Sequence, residues 1–67
     1  MLHYRFYLMI GTKIMQGEDV TCADDGDANR EAERRLRTGD PAYDAIEVWQ
    51  GARPVCRHER AAAPGRS

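Results

Sequence analysis

The sequence predicts an α+β domain of ββαββ order, a four-stranded antiparallel sheet with one helix packed on one face. Three observations lead there. Residues 2–10 alternate with a period of two. Ala28, Ala32 and Leu36 recur every four residues between charged neighbours, which is a thin helical stripe. Two further short segments of strand character flank Gly51-Ala52, a pair suited to a tight turn.

In the first segment Leu2, Tyr4, Phe6, Leu8 and Ile10 share one face, and His3, Arg5, Tyr7 and Met9 share the other. Gly11-Thr12-Lys13 is a short turn. Ile14 to Cys22 then returns as a second strand, with Ile14, Val20 and Cys22 facing inward. Gln16, Gly17, Glu18 and Asp19 interrupt its middle and predict a bulge or an exposed edge there. Asp24-Asp25-Gly26-Asp27 opens the helix. Asp24 or Asp25 can cap the free N–H groups, and the acidic cluster suits the positive end of the helix dipole. The arginines crowd the last turn, and Thr38-Gly39-Asp40-Pro41 stops the helix.

Ala45 to Gln50 is the third strand, with Ile46 and Val48 on one face and Glu47 and Trp49 on the other. Arg53 to Glu59 is the fourth, with Val55 facing Ile46 and Val48. Pro54 cannot donate a ladder hydrogen bond, so this strand is expected at an edge. A spatial order 2-1-3-4 makes the sheet antiparallel throughout. The two hairpins share a plan but no residue pattern. Residues 1–60 are therefore read as one domain. Ala61-Ala62-Ala63-Pro64-Gly65-Arg66-Ser67 is read as a flexible C-terminal tail.

Composition narrows the function. Sixty-seven residues allow one small domain, and 42% hydrophobic with 31% charged residues is an ordinary globular balance. A net charge of −1 argues against a chain dominated by nucleic-acid or membrane electrostatics. No apolar run is long enough to cross a bilayer. Residues 2–10 are interrupted by His3 and Arg5 and lead to no small-residue cleavage site, so a cytoplasmic address is expected. Cys22 and Cys56 fit no C-x-x-C pattern and are expected as free thiols.

Several chemistries rank low. His3, Cys22, Cys56 and His58 are zinc-type ligands at no standard zinc spacing, and strand parity divides them, with Cys22 toward the helix and the other three outward. Asp24-Asp25-Gly26-Asp27 lacks the alternating oxygens and distal Glu of a calcium loop. Cys56-Arg57-His58 places a thiol, a cation and an imidazole together, but no oxyanion hole or pocket-forming loop accompanies them. P-loop and dinucleotide fingerprints are missing. The expectation is a non-enzymatic protein without cofactor or metal.

Association is the favoured reading. Chains this short hold only about 3–5 kcal/mol unless disulfides, metal or oligomerisation assist. On the predicted helix-free face Tyr7, Met9, Met15 and Trp49 gather, with Cys56 on the same parity. These residue types are enriched at interface cores. They are the expected contacts of a homodimer or of a small protein partner. The runner-up is a nucleic-acid-binding regulator. Arg30, Arg34, Arg35 and Arg37 crowd the helix, Arg53 and Arg57 lie in the last strand, and Tyr7 and Trp49 offer stacking surfaces. Against it, Glu31 and Glu33 interleave the helix and supply pairs four residues apart.

Tyr4-Arg5-Phe6-Tyr7-Leu8, Glu18-Asp19 with Cys22-Ala23-Asp24-Asp25, and Glu47-Val48-Trp49-Gln50-Gly51-Ala52-Arg53 together resemble the short uncharacterised proteins common in alphaproteobacteria. The likeness covers residues 2 to about 58. It implies a bacterial source and transfers no site. Gly11-Thr12-Lys13 departs from the Asp/Gly-rich turn expected of that group. A weaker resemblance is to HicB-like antitoxin domains, which also place a sheet before a helix with an acidic cap. It implies an antitoxin-like regulator, although the added DNA-binding segment of those domains is missing from this chain.

Overall fold

A computed structural model describes residues 1–60. The tail assigned to residues 61–67 lies outside the described residues. The elements run β1 (Leu2–Ile10), β2 (Lys13–Cys22), α1 (Asp25–Thr38), β3 (Ala45–Gln50) and β4 (Arg53–Glu59). The strands form one antiparallel sheet in the order β2-β1-β3-β4, with α1 across one face, as the alternation and the helical stripe predict.

The core lies between the sheet and α1. Tyr4 and Phe6 of β1, Cys22 of β2, Ile46 and Val48 of β3, and Ala28, Ala32 and Leu36 of α1 form one buried cluster. Two alanines on the helix let its backbone approach the sheet, so Phe6, Ile46 and Val48 are fully enclosed. Leu8, Val20, Val55 and Cys56 pack around this centre, half-buried. Leu2 and Ile10, at the two ends of β1, run past the helix and are exposed. Parity assigned both to the core, but the helix is too short to cover the ends of the strand.

Asp24 caps α1 by accepting a hydrogen bond from the Asp27 N–H at 2.8 Å, and Asp27 answers by accepting from the Ala23 N–H at 2.9 Å. One orphan donor of the first turn is thereby satisfied, and the chain entering the helix is tied back to that turn. Asp25 ties the same helix end to the sheet. It accepts from the Tyr4 hydroxyl at 2.7 Å and from both Arg53 terminal nitrogens at 3.0 and 3.1 Å. Burial, followed by the hydrogen bond to Asp25, pushes the Tyr4 hydroxyl up to about 12. Tyr4 therefore stays neutral and donating through the whole working range of pH.

The two hairpins are built alike. Each turns through two residues, Gly11-Thr12 and Gly51-Ala52, and the first is a glycine at φ 61° in both. A side chain there would be strained, which fixes glycine at each turn. Each hairpin then carries one β-bulge on its outer strand. Met9 pairs with Ile14 and Leu8 with Gln16, leaving Met15 extra. Trp49 pairs with Pro54 and Val48 with Cys56, leaving Val55 extra. The central pair Tyr7–Glu47 lies on a pseudo-twofold axis that relates the hairpins. The shared plan is thus a structural repeat without a sequence repeat.

The bulges correct several expectations. The first falls at Met15, one residue before the Gln16–Asp19 stretch. It places Ile14 opposite Met9 on the helix-free face, where simple alternation had turned it inward. The second places Cys56 opposite Val48 and His58 opposite Ile46, both on the helix side, where alternation had turned them outward. His58 Nε2 lies 2.6 Å from Asn29 Oδ1 of α1, which fixes that orientation. One inserted residue reverses the facing of everything beyond it.

Candidate interaction surface

The helix-free face is carried by the odd residues of β1 and their partners. Tyr7 sits opposite Glu47 and Gly17, Met9 opposite Ala45 and Ile14, and Arg5 opposite Trp49 and Asp19. Tyr7, Met9 and Trp49 therefore share the face the alternation gave them. Met15, the bulge residue of β2, is 45% exposed, and its neighbour Ile14 is 52% exposed. Ile14 is the residue sequence reasoning missed. Two adjacent hydrophobics directly after a tight turn were the available sign of a bulge.

The apolar side chains on this face are interleaved with charge. The Arg5 guanidinium pairs with Asp19 at 2.8 Å and stands 5.9 Å from the Tyr7 ring centroid. It lies over Gly17, where a Cβ would meet Arg5 Nη2 at 2.8 Å. A glycine on β2 thus makes room for an arginine of β1. On the other flank Arg57 spans Glu47 at 2.8 Å and Glu59 at 2.9 Å, and its Nη1 reaches the Met9 sulfur at 3.3 Å. Met9 is buried on the helix-free side beneath this cover. Trp49 Nε1 donates to Glu47 at 3.0 Å. The Trp49 N–H, followed by Arg57, holds the Glu47 carboxyl below its usual range against partial burial.

The arginines of the alternative reading divide differently. Arg30 lies 3.9 Å from Asp27, Arg34 pairs with Glu31, Arg35 with Glu31 and Glu18, Arg53 with Asp25, and Arg57 with Glu47 and Glu59. Arg37 has no carboxylate partner among the described residues. The helix arginines and Arg53 sit on the helix side, across the sheet from Tyr7 and Trp49. Of these arginines Arg57 shares the face of Tyr7 and Trp49, while the helix cluster does not join the aromatic residues in one stacking platform.

The thiol and metal candidates are also separated. Cys22 on β2 and Cys56 on β4 are free, with two strands between them. Among the described residues no group of three or more His, Cys, Asp or Glu side chains gathers as a metal ion requires. Burial pushes both thiols above their ordinary range. Both cysteines are therefore expected to react with a disulfide reagent at pH 7.5 more slowly in the folded protein than in urea. Equal rates in the two states would contradict this placement. No helix among the described residues is long and apolar enough to cross a membrane.

No family model, no curated protein and no solved structure matches the chain.

Proposed function

We propose that this protein is a small non-enzymatic interaction module that pairs with a second copy of itself through the helix-free sheet face. The observation that carries the reading is the collection of Tyr7, Ile14 and Trp49 on that face, with exposed Met15 beside them, among charges already neutralised in pairs. Pre-paired charges cost less to bring against a neighbour than free ones, because each keeps its counter-ion.

The edges of the sheet favour stacking over edge pairing. β2 carries a bulge, Gly17, Glu18 and Asp19, and β4 carries a bulge, Pro54 and two arginines. These devices discourage edge-to-edge pairing.

Size sets the buried area. Four strands at about 4.8 Å spacing, from about 20 Å long in β3 to about 33 Å in β2, give roughly 500 Å² per copy. The pair would then bury roughly 1,000 Å², at the low end for specific complexes. A reversible dimer is expected, its affinity set by how well the apolar contacts fit rather than by area alone.

Light scattering across a dilution series tests it. The mass is expected to rise from one copy to two as concentration increases. Met15→Glu and Ile14→Glu, both at exposed positions, are expected to weaken pairing by at least about tenfold while leaving the fold intact. Trp49→Ala is expected to weaken it as well. Arg30→Glu, on the helix side, should leave it unchanged. A single-copy mass at every concentration would reject the reading.

A further inference from the structure

We infer that the groove between α1 and the first hairpin binds a small amphipathic carboxylate, with its charged head on Arg60 and its apolar body against Leu8 and Leu36. The groove lies to one side of α1, which packs mainly over β3 and β4. Leu8 shows the consequence. It sits opposite Ile46 in the same row of the core, yet Ile46 is fully enclosed and Leu8 is only half-buried. The space beside it is about 490 Å³, with Leu8, Leu36 and Tyr43 among its walls. Pockets for small molecules run from roughly 300 to 1,000 Å³.

The charge pattern selects the ligand class. Arg34 and Arg35 border the groove but are held by Glu31 and Glu18. Arg60 is different. Its Nε and Nη2 both donate to the main-chain carbonyl of Tyr43, at 3.2 and 3.1 Å, and Nη2 also reaches the Asp40 carbonyl at 3.5 Å. Those neutral partners fix the guanidinium without discharging it. Among the described residues no carboxylate lies within ion-pair distance of Arg60, and its Nη1 has no protein partner. An oriented cation at the end of an apolar trough is complementary to an anion with a hydrocarbon body. Two acidic groups line the groove, of which one is neutralised and the Asp40 carboxylate keeps its charge. Glu18 is neutralised by Arg35, and the Asp40 carboxylate accepts from the Ala42 N–H at 2.9 Å. The Tyr43 hydroxyl meets Gln16 at a long 3.4 Å, so both can turn to a ligand at little cost.

Octanoate and its uncharged counterpart octanamide are the probes, followed by amide NMR shifts of the whole chain. Octanoate is expected to give saturable shifts at Leu8, Gln16, Leu36 and Tyr43, with octanamide binding at least about tenfold more weakly. Arg60→Gln is expected to bring octanoate down to the octanamide level. If that variant fails to fold, the two ligands on the unaltered protein still decide the matter. Equal affinity for both probes, shifts confined to other surfaces, or no shift up to about 10 mM octanoate would each overturn the proposal. The groove lies across the sheet from the pairing face, so octanoate should leave the mass measured by light scattering unchanged.

Discussion

Replacing Phe6 with alanine is expected to unfold the protein at 25 °C. Phe6 is fully enclosed, lies opposite Val48 in the centre of the sheet, and carries the Arg35 guanidinium 5.3 Å from its ring centroid. Truncating a buried phenylalanine costs about 3–5 kcal/mol, because transfer energy is lost and the space left behind collapses only in part. A chain of this size, with both cysteines free, is expected to hold only about 3–5 kcal/mol in total. One substitution therefore removes the whole margin. Far-UV circular dichroism and urea titration read the result. Ile10→Ala is the control, since Ile10 is 43% exposed and its loss should cost less than about 1 kcal/mol. A cooperative urea transition in Phe6→Ala close to that of the parent would contradict the core assignment. Pairing adds stability that grows with concentration, so both variants belong at one concentration.

Acid is expected to destabilise the protein between pH about 4.5 and about 2, with Glu31 the largest single contributor. Arg34, followed by Arg35, lowers the Glu31 carboxyl from 4.5 to about 2. A folded-state value below the unfolded one means the stabilisation is complete above pH 4.5. It is lost as pH falls toward 2, when the carboxyl must take a proton that the folded state resists. A displacement of that size corresponds to about 3.4 kcal/mol at the upper bound. Glu31 and Arg35 are partly exposed and Arg34 more so, and solvent screening reduces the figure to about 1–2 kcal/mol. Asp25, held down chiefly by Arg53, and Glu47, held down chiefly by Trp49, lose stability in the same direction. Urea midpoints should be level from pH 7 to about 5 and then fall. Glu31→Gln should lower the neutral-pH midpoint and flatten the acid slope. An unchanged slope in that variant would remove Glu31 from the account.

What could be read from the chain and what could not have a common cause. Strand parity and the four-residue helical stripe yield the element order, the strand order and most of the core, since each depends only on which face a residue turns to. Tyr4, Phe6, Ile46 and Val48 follow directly. Parity fails wherever a residue is inserted. The bulges at Met15 and Val55 turn Ile14 to the helix-free side and bring Cys56 and His58 to the helix side. Pro54, which cannot join a ladder, was the local sign of the second bulge. Parity is also blind to sideways reach. Arg57 lies two strands from β1 yet covers Met9, and Arg5 leans across Gly17. The face that composition presents as apolar is therefore a mosaic, with Tyr7, Trp49 and Ile14 between neutralised charges.

The most direct measurement is an isotope-filtered NOE experiment on a one-to-one mixture of carbon-13-labelled and unlabelled protein at millimolar concentration. Pairing through the helix-free face predicts intermolecular contacts from the Met15 and Ile14 methyl groups and the Trp49 indole. Contacts confined to α1 or to the backbone of β2 or β4, or no intermolecular contact at all, would contradict it.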